Sequence, residues 1–368
     1  MAIQIIVVES NPQKADEIVS IIKKTPKYEV AATYSNANAA IRQSAMFKPE
    51  LFLINGDDEE NLPLIHSFVD TYPNAKVLGL MEIWKSKVAD EFLKAGAVGC
   101  IPKSFTIDDL EKSLKLYEIR GKHLPARIMA FFSPKGRSGR TTIATILGLL
   151  LAEKSGERVA LIDADLQFGD MPIFFDAVPK QTIVDAAQDI KLLNPLTFEQ
   201  YFFPINKGVS LLSSPDRPEY AELVDAENLV EVVKMASNLC RYVLIDLPAG
   251  FNPLSISMCE LADTSFVVSM FNTKFDVVHM RRALATFQAW KERNKNIYTV
   301  FTRVNPCDEE NRLKIQDELG YPVTDIIPNE YQMISIANSG RLSKGLPMDS
   351  FLMKGISKLA DDIIEDRR

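Results

Sequence analysis

Cysteine is scarce in this chain. Its four cysteines, Cys100, Cys240, Cys259 and Cys307, are widely separated and form no CxxC pair. That spacing argues against a zinc site, an iron–sulfur cluster or a disulfide framework, and it suits a reducing cytosol. Long hydrophobic runs are missing too, and none approaches the length needed to span a bilayer. The opening "MAIQIIVVESNP" has no basic leader and reaches Glu9 too soon for a secretory signal. A cytoplasmic protein is the default expectation. There is no excess of basic charge: the net charge of −7 gives no general attraction to nucleic acid or anionic lipid. No internal repeat and no low-complexity segment interrupts the 368 residues, which suffice for two domains with separate cores.

What the chain does have is alternation. Five β-rich runs (Ile3–Glu9, Glu29–Ser35, Glu50–Gly56, Lys76–Glu82 and Gly99–Lys103) alternate with helical stretches. In "QKADEIVSIIKK", for example, Ala15, Ile18, Val19 and Ile22 share one face. This pattern predicts an α/β domain over residues 1–120, a parallel sheet with helices on both sides. Gly121 and Pro125 end the last helix, making 121–127 a linker. A second strand–helix series follows over 128–368: "ARIMAFFS", "ERVALID", "RYVLIDLP", "TSFVVSMF", "NIYTVFTRV" and "PVTDIIP". Such continuously apolar strands are buried on both faces. The expected fold class is α/β, with two doubly wound parallel-sheet domains.

The first domain, with "AGAVGCIPK" ending its fifth strand at Lys103, resembles the response-regulator receiver family. That family's phosphorylation chemistry requires an acidic pair after strand one, an acceptor aspartate after strand three and a Ser/Thr after strand four. Here those places hold Glu9 and Ser10, then Asn55, then Met81. An amide is no nucleophile towards phosphorus, and one carboxylate holds Mg²⁺ weakly. The resemblance therefore implies a pseudo-receiver, a docking or dimerising module. Asp57 and Asp58 fall past the strand end, in what reads as a solvated loop, and either is open as a non-standard acceptor. Lys103 without its aspartate reads equally as a surface lysine.

The second domain opens on "SPKGRSGRTT", a strand–loop–helix junction. Gly136 and Gly139 permit close backbone approach, Thr141 suits magnesium, and Thr142 is a further phosphate donor. With Lys135 before the first glycine, the loop resembles the deviant Walker A motif of the MinD/ParA family, usually KGGxGKT. "VALIDADLQFGD" resembles that family's switch I, with Asp163 and Asp165, and "YVLIDLPAG" resembles its Walker B strand and switch II, with Asp246. "VFTRVNP" and "IIPNE" resemble its adenine-side segments, and "ANSGRLSKGLP" its closing loop. The resemblance implies ATP and Mg²⁺ as ligands, held by the loop Lys135, Gly136, Arg137, Ser138, Gly139, Arg140, Thr141 and Thr142. It implies Thr141, Asp163 and Asp246 around the metal, and Arg303 or Asn305 beside the base. It also implies Asp165 orienting an attacking water and Lys135 reaching across a homodimer to the partner's nucleotide. Strand-end capping is the alternative role for Asp163 and Asp246.

Three positions depart from that pattern. Arg140 replaces the loop lysine, Arg137 the second glycine, and Pro134 a residue where glycine is usual. A guanidinium keeps the charge but not the compact shape, Pro134 removes one N–H, and Arg137 demands a non-glycine backbone there. Nucleotide binding with weak or slow hydrolysis is the expectation, and whether the protein is an enzyme is open. A degenerate receiver fused to such an ATPase resembles the CpaE/TadZ group. That implies a switch localising pilus or secretion machinery at the cell pole, with those proteins as partners.

The alternatives are a DNA-binding ParA-type partition ATPase and a MinD/FlhG-like cell-division or flagellar positioning ATPase. DNA binding would draw on Arg281, Arg282, Lys291, Arg293 and Lys295, which read equally as a solvated helix face. A membrane-cycling protein would end in a basic amphipathic helix. The tail "FLMKGISKLADDIIEDRR" instead sets Asp361, Asp362, Glu365 and Asp366 opposite its apolar stripe, which argues against direct anchoring.

Overall fold

The computed structural model describes residues 2–119, 125–290, 296–330, 339–340, 342 and 350–365. The chain divides into two compact units, Met1–Pro125 with Lys191–Glu199, and Ala126–Ile190 with Gln200–Arg368.

In the first unit β1 (Ile3–Val8), β2 (Tyr28–Tyr34), β3 (Leu51–Asn55), β4 (Lys76–Met81) and β5 (Gly99–Pro102) form one parallel sheet in the order β2-β1-β3-β4-β5. Ile5–Val8 and Leu51–Ile54 are wholly buried, as central strands covered on both faces must be. Side chains alternate between two apolar clusters. Ile5, Val7, Leu51 and Leu53 join one, and Ile6, Val8, Phe52 and Ile54 the other. The strand order reverses between β1 and β3, so the loops beyond Val8 and Asn55 diverge and leave a crevice there. The helix Pro12–Ile22 starts there because the Asn11 side chain accepts from the N–H groups of Gln13 and Lys14 and Pro12 presets its first turn.

The second sheet holds β6 (Arg127–Phe132), β7 (Val159–Asp163), β8 (Phe203–Pro204), β9 (Val209–Leu212), β10 (Tyr242–Asp246), β11 (Thr264–Met270), β12 (Asn296–Thr302) and β13 (Asp325–Ile327). Their order is β13-β12-β11-β6-β10-β7-β9-β8, parallel apart from β8, which pairs antiparallel with β9. The short strands β8 and β9, of two and four residues, are not among the six read from sequence.

The helix Arg140–Ser155 begins eight residues after β6 and is buried nearly all round, with Ile143, Ile146, Leu147, Leu150 and Leu151 in the core. A methyl group at Gly148 would lie 2.6 Å from Leu161 Cδ2, so glycine lets this helix press against β7. The C-terminal helix Phe351–Ile364 buries Leu352, Met353, Ile356, Leu359, Ala360 and Ile363 in the same core. Each of the Leu, Ile and Met side chains contributes about 1.5–3 kcal/mol. Lys154 Nζ reaches Asp361 Oδ1 at 2.6 Å and the Ser357 carbonyl at 3.2 Å, while Arg127 Nη1 donates to the Ile363 carbonyl at 2.6 Å. Apart from the exposed Phe351, the apolar stripe of the tail is thus buried within its own domain. Among the described residues no helix is long and apolar enough to cross a membrane.

Candidate functional site

Parallel strands deliver the loops after β6, β7, β10, β11 and β12 to one end of the second sheet. Ser133 leaves β6 with its Oγ donating to the Lys135 carbonyl at 2.6 Å, which bends the chain into the loop. Arg137 then adopts φ +62° and Gly139 φ +89°. The expectation that Arg137 would impose a different backbone is therefore corrected, since it takes the left-handed conformation that glycine favours. Its cost of about 1–3 kcal/mol is offset because the surroundings hold it. Arg303, itself at φ +60°, donates from Nη2 to the Arg137 carbonyl at 3.3 Å, and Thr302 Oγ1 donates to the Ser138 carbonyl at 2.7 Å. A methyl group at Gly136 would meet nothing within 4 Å, so the loop is open on that side. Lys135 and Arg137 are exposed, and the helix Arg140–Ser155 begins with no side-chain cap on its N–H groups. That is the local geometry of an anion site.

Arg140 is the surprise. Its side chain is only 8% exposed, and its guanidinium lies 3.9 Å from Asp165 Oδ2 and 4.0 Å from Asp246 Oδ1. Thr141 Oγ1 donates a hydrogen bond to Asp246 Oδ2. Burial pushes the Asp246 carboxyl up to about 6, against the opposing pull of Arg140 and Thr141. Arg140 Nη1, Ser138 Oγ and Asp246 Oδ1 are buried without a hydrogen-bond partner. A donor, a hydroxyl and an acceptor are left unmet together, which costs energy in a bare protein. A phosphate oxygen and a hydrated divalent cation have the matching chemistry, so these residues fit a magnesium–nucleotide ligand.

Asp163 has one carboxylate oxygen engaged by its own chain, while the other, Oδ1, is buried without a hydrogen-bond partner. It is fully buried, and its Oδ2 accepts from the Met171 N–H at 3.1 Å and from Ser214 Oγ at 3.2 Å. Burial, with Asp246 nearby, raises its carboxyl well above the usual range. It pins the turn after β7. Gly169 permits this, because a methyl group there would lie 2.2 Å from Ser214 Oγ and 2.4 Å from Asp163 Oδ2. Asp165, two residues on, is half-buried and accepts from the Phe168 N–H at 3.3 Å. Of the two base-side candidates it is Arg303 that touches the loop; Asn305 is exposed and precedes cis-Pro306. Thr142 is half-buried on the first turn of the helix.

Sequence reasoning missed Ser214, Thr302 and Phe251. The only sequence signal for Ser214 is the Ser213–Ser214–Pro215 break after an apolar run. Phe251 follows Gly250, whose N–H donates to the Ser133 carbonyl at 2.9 Å, and its ring lies 4.5 Å from Phe132 and 5.8 Å from Phe287. The turn after β10 is thereby anchored to the strand that feeds the loop.

Residues 129–342 match the CobQ/CobB/MinD/ParA nucleotide binding domain. The chain belongs to this family. A ParA family protein of Mycoplasma pneumoniae is 24% identical over 194 residues, covering 48% of this chain and 71% of the relative. Among solved structures, a ParA family ATPase from Chlorobium tepidum TLS superposes with a TM-score of 0.60 at 20% identity, over 65% of this chain and 99% of that one. The septum site-determining protein MinD of Pyrococcus horikoshii OT3, solved with Mg-ADP, gives 0.56 at 20% identity, over 66% and 97%. At such identities the structures establish the fold. The MinD/ParA-family match begins beyond the first sheet, at residue 129.

In the crevice of the first unit, Lys103 and Asp57 are not where a solvated loop and a surface lysine would put them. Lys103 Nζ lies 2.8 Å from Glu9 Oε2 and 3.2 Å from Asp57 Oδ2, with only 9% of its side chain exposed. Asp57 folds back from the loop because its Oδ2 also accepts from the Glu82 N–H at 2.8 Å. Asp58 instead accepts from the Glu60 N–H at 3.1 Å, within its own loop.

Of the basic residues weighed for DNA, Arg281 is committed within its domain. It donates from Nε to the Leu319 carbonyl at 2.9 Å and from Nη2 to the Glu318 carbonyl, at the end of the helix Glu309–Leu319. Arg282 is exposed. Lys291, Arg293 and Lys295 lie outside the described residues, as does most of "ANSGRLSKGLP".

Proposed function

We propose that the protein is a nucleotide-controlled dimer switch that binds Mg-ATP and turns it over slowly. The observation that carries this reading is the position of Arg140, which is buried, charged and lies about 4 Å from both Asp165 and Asp246. A guanidinium there supplies a strong anion clamp, with a buried Nη1 in need of a partner. It also competes for the carboxylate that would orient water, and its planar fork cannot sit where a compact ammonium would. Phosphoryl transfer relies on positioning, so the same residue favours retention over cleavage. Thr141 and Asp246 would hold the ion, Asp165 would face the water, and Asp163 would hold the turn between them. The bound nucleotide supplies the phosphate charge that the loop N–H groups and Arg140 need to complete their bonding.

Exposed Lys135, together with Phe168 and Phe275 exposed beyond the β7 and β11 ends, suits a second copy docking on this end of the sheet. Asn55 in the acceptor place, with Lys103 already paired, suits a receiver-like docking module at 1–120. That domain order supports a CpaE/TadZ-like role in placing pilus or secretion machinery at the pole. Similarity to MinD and ParA proteins supports the second reading, a cell-division, flagellar or DNA-partition positioning ATPase. Burial of the tail's apolar stripe and the internal bonds of Arg281 weigh against its membrane and DNA variants.

Light scattering of the purified full chain, alone and with Mg-ATP or Mg-ADP, tests the switch. Doubling of the mass with ATP, and retention of that ATP on gel filtration, is expected. An unchanged mass with no retained nucleotide would refute the switch.

A further inference from the structure

The cluster at the crevice of the first unit is self-sufficient in charge. Glu9 is 99% buried at its side chain, and its Oε1 is already taken by Asn55 Nδ2 at 3.1 Å and by the Asn11 N–H at 3.0 Å. Its Oε2 has no aligned hydrogen bond and faces the Lys103 ammonium at 2.8 Å, an ion pair rather than a directed bond. Asp57 closes the other side at 3.2 Å, held by the Glu82 N–H and by its own N–H donating to Asn55 Oδ1 at 2.9 Å. Lys85 flanks the outer Asp57 oxygen at 3.6 Å and stays exposed. Two carboxylates, one deeply buried, thus converge on a single cation that the chain itself provides.

We propose that Lys103 is the resident cation of this unit: its ammonium occupies from inside a site that Glu9 and Asp57 would otherwise offer to a divalent metal. The inference deepens, and rests on, the reading of residues 1–120 as a docking module without phosphate chemistry. Two carboxylates and retained waters are an adequate donor set for Mg²⁺ or Mn²⁺. A tethered ammonium is always present, so the unit keeps one arrangement whatever the metal supply. Removing it would leave a buried carboxylate unpaired, a strongly destabilising state that a divalent ion would relieve.

Counting bound Mn²⁺ by electron paramagnetic resonance on the nucleotide-free full chain tests this. Any ion held by the second unit is common to every variant and subtracts. Lys103→Met is expected to bind one more Mn²⁺ per chain than wild type and to regain lost thermal stability when Mn²⁺ is added. Glu9→Gln in the same chain should abolish both effects. Equal counts for Lys103→Met and wild type, or an added ion that survives Glu9→Gln, would overturn the proposal. Should Lys103→Met fail to fold, the single Glu9→Gln variant decides. An unchanged Mn²⁺ count supports a site filled by lysine, and loss of a bound ion shows that the metal was there all along. Labelling of the wild type by acetyl phosphate would instead refute the docking reading on which the inference rests, a separate outcome from any Mn²⁺ count.

Discussion

The Arg140 guanidinium sits 3.9 Å from the Asp165 carboxylate, so the loop cation already faces an opposite charge before any ligand arrives. Lysine at this position would keep the charge on a compact, rotatable ammonium. A misplacement of about 1 Å in a reacting group costs on the order of 100-fold in rate. Arg140→Lys is therefore expected to raise ATP turnover by up to about that factor while ATP affinity changes little, read by phosphate release and equilibrium dialysis. A slower Arg140→Lys would remove the positioning explanation.

Arg137 holds a backbone that glycine adopts without strain. Arg137→Gly should leave stability within about 1 kcal/mol of wild type, since relief of strain offsets the extra freedom of the unfolded chain. Arg137→Val should cost about 1–3 kcal/mol, because a β-branched side chain resists φ > 0. Urea melts of the two variants provide the comparison.

Asp246 gives a pH signature in the metal-free protein. Its carboxyl titrates near 6 when folded, mainly through burial, and near 4 when unfolded. Between those values the folded chain binds more protons, so this contribution is full below about pH 4 and is lost as pH rises towards 6. With chelator present, Asp246→Asn should be the more stable protein above pH 6, by up to about 3 kcal/mol, with the gain vanishing near pH 4. Denaturant melts across that range would show the convergence, and a less stable Asp246→Asn at pH 7 would contradict it.

Ile356 is fully buried in the core shared by the helix Arg140–Ser155 and the C-terminal helix. Ile356→Ala should cost about 2–5 kcal/mol. The measurement is a thermal or urea melt of the second unit's transition. If the tail were instead a membrane anchor, the same change would spare stability and reduce co-sedimentation with liposomes.

Local pattern settled a good deal: the five strands of the first sheet, strands β6, β7, β10, β11, β12 and β13 of the second, and the loop between Ser133 and Thr142. These follow from short-range chemistry, namely apolar runs, glycine positions and the strand-to-helix junction, which neighbours in the chain express directly. Residue type alone also said that Asn55 cannot accept a phosphoryl group. The partners had to come from the fold. Arg137 keeps a glycine-like backbone beside Arg303, which is 166 residues away. Asp163 anchors the turn after β7 because Ser214, just beyond the neighbouring strand β9, reaches its Oδ2. Lys103 becomes a buried ion pair rather than a surface charge because β1 and β5 bring Glu9 and Lys103 to the same end of one sheet. A charge's role depends on which opposite charges share its low-dielectric surroundings, and those are chosen by strand order, which no local stretch of sequence encodes.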